Sequence, residues 1–78
     1  MEKRLERKIF NFKGKVDCIT DSESRPGYKF VRLLSEQNQE FIGFAKKIPS
    51  YIKEGVTTKI FYKFDEDREY LIIGYTIP

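Results

Sequence analysis

The sequence predicts a small all-β domain, a five-stranded barrel with one short helix between its third and fourth strands. Three observations predict it. Seven Phe and five Tyr among 78 residues, joined by Ile and Val, suit a pleated, half-buried surface better than a helix. The apolar residues fall in short runs bounded by clusters of Gly, Pro, Asn, Asp and Ser. A sheet built from so few residues must hide its edges, and closing on itself is the direct way to do so.

Met1 to Lys8 is a charge-dense lead-in of mixed sign (Glu2, Lys3, Arg4, Glu6, Arg7, Lys8), ahead of a single barrel domain over 9–78. The run Lys8 to Thr20 alternates as Phe10 and Phe12, then Val16 with Cys18 or Ile19, and Gly14 inside it marks a bulge or sharp bend. Residues 21–27 are a loop ending in the turn signal Pro26-Gly27. Tyr28 to Ser35 is the second strand, Glu36 to Gln39 a polar hairpin turn, and Glu40 to Ala45 the third strand.

The pattern then changes. Ile48, Tyr51 and Ile52 have i, i+3, i+4 spacing, Pro49 suits a first helical turn and Gly55 a C-terminal cap, which predicts a helix of about two turns. After Gly55, the set Val56, Thr58, Ile60 and Tyr62 alternates with Thr57, Lys59, Phe61 and Lys63 as the fourth strand. Asp65-Glu66-Asp67 is an acidic turn, and Glu69 to Ile77 is the fifth strand, with Leu71, Ile73, Tyr75 and Ile77 expected on one face.

This element order, with the segments Phe12-x-Gly14-Lys15-Val16 and Ile52-x-x-Gly55-x-x-Thr58-x-Ile60-x-Tyr62, resembles the OB-fold, a five-stranded Greek-key barrel that carries a helix between strands three and four. The resemblance covers Ile9 to Ile77 and rests on structural positions that SH3-like barrels partly share. It implies small modules that bind single-stranded nucleic acid, and it directs attention to the face of strands two and three with the loops between strands one and two and strands four and five.

Composition narrows the chemistry. With no histidine and one cysteine, common zinc sites and every His-assisted nucleophile are excluded, so the chain reads as non-catalytic and without a cofactor. Cys18 cannot form an internal disulfide and reads as a small buried hydrophobe. The Asp65-Glu66-Asp67 cluster lacks the spaced oxygen ligands of a calcium loop, so no metal is expected. There is no apolar run of the ~18 residues a membrane span needs and no apolar leader after Met1, which predicts a cytoplasmic protein with no membrane partner. A net charge of +3 is compatible with nucleic acid or with an acidic protein surface.

Candidate binding residues come from parity. Side chains alternate across a strand, and Val31 and Leu33 are the apolar centre of the second strand, so they belong inside. Tyr28, Phe30 and Arg32 then face outward, two rings beside a guanidinium. Rings stack on bases for about 1–3 kcal/mol each, and Arg neutralises phosphate or stacks on a base plane. Lys59, Phe61 and Lys63 form a similar outer row, although lysines on a strand also serve as edge protection. Phe41 joins the outer set if Ile42 and Phe44 point inward. Arg25 in the first loop and Lys13 or Lys15 beside the glycine bend are placed to track phosphates, with Arg68 closing over from the last loop. The same aromatic face also suits a protein partner or self-association, since Tyr, Phe and Arg are enriched at interface hot spots. A peptide-binding SH3-like barrel is a third reading, discouraged by the absence of Trp.

Overall fold

The computed structural model describes residues 8–66 and 69–76, so residues 1–7 of the lead-in, Asp67, Arg68, Ile77 and Pro78 lie outside the described residues. Five strands, β1 (Phe10–Asp21), β2 (Lys29–Leu34), β3 (Glu40–Ala45), β4 (Thr57–Phe64) and β5 (Tyr70–Tyr75), close into a barrel in the order β1-β2-β3-β5-β4. All pairings are antiparallel except β3 with β5, which run parallel through Phe44–Leu71 and Ala45–Ile72. The closed barrel is compatible with an OB-like arrangement.

β1 serves two neighbours, pairing with β4 over residues 10–15 and with β2 over residues 15–21. The changeover falls at Lys15, directly after Gly14, where an added Cβ would lie 2.7 Å from the Leu34 carbonyl oxygen and 2.9 Å from the Phe12 ring. That glycine marks the close passage of two strands. The bulge itself comes later: the register steps between Val16 and Cys18, leaving Asp17 as the extra residue. An extra residue inverts the alternation beyond it. Ile19 therefore packs on the core, whereas Cys18, expected to be buried, is half-buried on the outer side opposite Arg32.

The core holds Val16, Val31, Leu33, Phe41, Ala45, Ile52, Ile60 and Ile72. Val31 and Leu33, 1% and 0% exposed, face inward as their parity requires. Phe41 does not occupy the outer face. It is 3% exposed and points into the barrel, while Ile42 and Phe44 point out. Gly43 shows why: Phe41 lies across it, and a Cβ there would meet the ring at 2.8 Å. The β5 parity also differs from expectation. Its partner on β4 steps from Phe61–Gly74 to Tyr62–Ile72, so Ile73 is extra and exposed, and Ile72 and Tyr75 face the core.

The connection from β3 to β4 contains no helix. Instead two consecutive turns form, with the Ile52 N–H donating to the Pro49 carbonyl at 3.0 Å and the Val56 N–H to the Lys53 carbonyl at 3.1 Å. Proline pushes Ile48 out of the helical region, and Gly55 sits at φ +93. Too few residues remain between them to offset helix nucleation. Ile48 and Ile52 nevertheless reach the core, and the segment is tied to β1 by Gly55 N–H to Val16 carbonyl and Val16 N–H to Val56 carbonyl, both 2.8 Å. No helix among the described residues is long and apolar enough to cross a membrane.

Candidate functional site

The turn Arg25-Pro26-Gly27-Tyr28 closes with the Tyr28 N–H donating to the Arg25 carbonyl at 3.1 Å, and Gly27 has φ +86, the dihedral that the third position of a type II turn demands. Such a turn brings its first and fourth residues together. The Arg25 guanidinium accordingly lies 5.0 Å over the Tyr28 ring and 5.6 Å over the Phe44 ring. It is also bonded to Asp65 and lies 3.3 Å from Glu69, so it ties the β1–β2 loop to the β4–β5 loop. The hydrogen bond to Asp65 raises the Arg25 pKa further.

On the outer side of β2 and β3, Phe30 stands opposite Phe44, with rings 6.2 Å apart and nearly perpendicular. Arg32 stands opposite Ile42 and binds Glu40 and, at 2.8 Å, Asp17, the bulge residue. Its pKa is raised chiefly by the Glu40 hydrogen bond. Lys29 binds Asp21 and holds that exposed carboxyl below its usual range. Tyr28, Phe30, Arg32 and Arg25 are thus gathered on one side as expected, but both arginines already face carboxylates. The side is aromatic, and its ion pairs set Asp17, Asp21, Glu40, Asp65 and Glu69 against Arg25, Lys29 and Arg32, so carboxylates outnumber cations there.

The opposite side carries unbalanced charge. Lys13 on β1 pairs directly with Lys59 on β4, both exposed, with Gly14 and Thr58 buried behind them. Like charges directly opposite on a sheet repel. Lys15 and Lys63 share this outward parity, and Phe61 lies between Lys59 and Lys63, half-buried against Gly74. Among the described residues no ion pair engages Lys13, Lys15, Lys59 or Lys63. Thr76 fixes the backbone here: its N–H donates to the Lys59 carbonyl at 3.0 Å, and its hydroxyl accepts from the Lys59 N–H at 3.2 Å. Beside the row, a cleft of about 530 Å³ opens between Lys13–Lys15 and the β2–β3 turn, with Glu36 as its one carboxylate and Thr57 on its wall.

At the end of the barrel where β4 finishes, inward-parity rings run out of core to cover. Phe41, Tyr70 and Phe64 form a ladder: Phe41 and Tyr70 stack at 5.4 Å and 16°, Tyr70 and Phe64 at 4.9 Å and 23°. Tyr62 and Phe10 flank it. Phe64 is 58% exposed and Phe10 42%. Sequence parity misses this ladder because it counts strand faces and not strand ends; the signal available is the overhang of Phe64 beyond the last core residue of β4. Phe44 is missed because parity assigns its side to Phe41.

Among the described residues no group of three or more His, Cys, Asp or Glu can hold a metal ion. Compared with known proteins, the chain matches no family model, no curated protein and no solved structure.

Proposed function

We propose that the protein is an OB-like, non-catalytic module that binds single-stranded nucleic acid along the outer surface of β1 and β4. The OB-like part is supported by the β1-β2-β3-β5-β4 order, the long first strand shared between two neighbours and the parallel β3–β5 junction. Lys13 and Lys59 repel one another across a rigid strand pair, beside an open cleft, and that juxtaposition carries the proposal. A phosphate placed between them removes the repulsion and gains two charge-assisted contacts. Lys15 and Lys63 extend the track, and Phe61 offers a ring on which a base stacks. On the other side, Tyr28, Phe30 and Phe44 give rings, while Arg25 and Arg32 take phosphate only by giving up carboxylates.

Few phosphate contacts make this a weak binder, with affinity near micromolar for the isolated module. Anisotropy titrations of labelled oligo-dT, oligo-U and a duplex test it. The expected result is saturable single-strand binding that weakens at least about tenfold in the K13A/K59A double variant. Equal binding by that variant refutes the role of the lysine pair.

A second reading has its own observation. Ile42 and Ile73 stand exposed near the β2–β3 side, where carboxylates outnumber cations, which favours a protein partner or a second copy on that face. Light scattering that shows mass rising with concentration, with no oligonucleotide bound, selects it.

A further inference from the structure

We infer that the Phe41–Tyr70–Phe64 ladder at the barrel end is a second base-stacking site, on which the strand lying along β4 places a terminal or turned-out base; this rests on the nucleic-acid reading above. The outward row of β4 runs Lys59, Phe61, Lys63, and the next residue, Phe64, has the opposite parity, pairs with Tyr70 and overhangs the barrel end where β4 finishes. A polyanion neutralised along that row meets no acidic side chain within β4, and at the strand's end Asp65 and Glu69 are both engaged by Arg25, which leaves Glu66 as the exposed carboxylate beside the rings.

The ladder has the shape a base needs. Its two ring pairs are within 23° of parallel, and Phe41 anchors the inner end in the core at 3% exposure. The outer ring ends the stack with an open surface, backed by Tyr70, so its plane is set before any ligand arrives. Stacking on a preset ring loses little side-chain freedom. A flat, exposed plate matches the π-face that every base presents, whatever the nucleotide order. Lys8, exposed two positions before Phe10, adds a cation at the same end.

The chain has no tryptophan, so Phe64→Trp installs a single reporter at the end of the ladder. Titrating the F64W protein with unlabelled oligo-dT is expected to quench its fluorescence saturably. In parallel, F64A is expected to weaken labelled oligo-dT binding by roughly fivefold to a hundredfold, the range that one base stack provides, with its melting temperature within a few degrees of wild type. Oligonucleotide binding by wild type that leaves F64W fluorescence unchanged and F64A affinity intact overturns the stacking site while the lysine track stands. A change from dimer to monomer in F64A, with oligonucleotide affinity intact, overturns it in favour of a second copy. Failure of the wild-type protein to bind any single strand overturns the underlying reading and this one with it.

Discussion

Replacing Phe41 by leucine removes a ring that meets three others, Phe12 at 5.4 Å, Tyr62 at 4.7 Å and Tyr70 at 5.4 Å. Alanine is the wrong probe here. A buried Phe→Ala change costs about 3–5 kcal/mol, and a chain of this length has only roughly 4–12 kcal/mol in total at ~0.05–0.15 kcal/mol per residue. Leucine keeps most of the apolar volume and forfeits the ring contacts, each worth about 0.5–1.5 kcal/mol and not strictly additive. The expected loss is about 2 kcal/mol, which lowers the melting temperature of a domain this size by roughly 8–16 °C. Phe30→Leu is the comparator. Phe30 is half-buried on the outer face and has one edge contact with Phe44, so its loss should stay under about 1 kcal/mol. Thermal melts followed by circular dichroism separate the two. An F41L protein that melts within a few degrees of wild type, or an F30L protein that melts lower than F41L, refutes the inward placement of Phe41.

Gly14→Ala forces a Cβ to within 2.7 Å of the Leu34 carbonyl oxygen, which is backbone and cannot swing aside, so a loss of about 1–3 kcal/mol is expected by denaturant unfolding. Gly27→Ala places a side chain at φ +86 with open space around it, and any loss there reflects backbone strain alone, about 1–2 kcal/mol. Burial pushes the Tyr75 hydroxyl up to about 12, and it donates to the Lys47 carbonyl at 3.4 Å. Because the folded state holds that proton more tightly, the stabilisation is complete below the ordinary tyrosine range near 10 and is lost as pH climbs toward 12. In a tyrosinate absorbance titration the last component should vanish in Y75F, and its persistence contradicts the assignment.

Strand number and order, and the inward placement of Val31 and Leu33, were legible because uninterrupted alternation has only two solutions and one buries two aliphatic side chains. Parity was not legible wherever the chain inserts an extra residue. Asp17 and Ile73 each invert the alternation beyond them, and neither is a glycine that would signal a bulge. Phe41 was misplaced because the β2–β3 register depends on the turn, where the Asn38 N–H donates to the Ser35 carbonyl at 2.9 Å and Asn38 adopts φ 63. Gly43 held the missing clue, since a ring folded over its neighbour needs a position without Cβ. The expected helix failed on length: Ile48 and Ile52 still reach the core from two turns, while Tyr51, the third residue of the pattern, stays exposed. Of the candidate site, the lysine row on β4 was visible in the alternation. Its pairing with Lys13, the carboxylate partners of both arginines and the ring ladder arise only once distant segments meet.

The lysine track is tested most directly by the salt dependence of single-strand affinity. Each neutralised phosphate contributes about 0.7 to the slope of log affinity against log salt. Removing Lys13 and Lys59 should therefore flatten that slope by about 1.4 as well as weaken binding. A K13A/K59A protein whose slope and affinity both equal those of wild type contradicts the account.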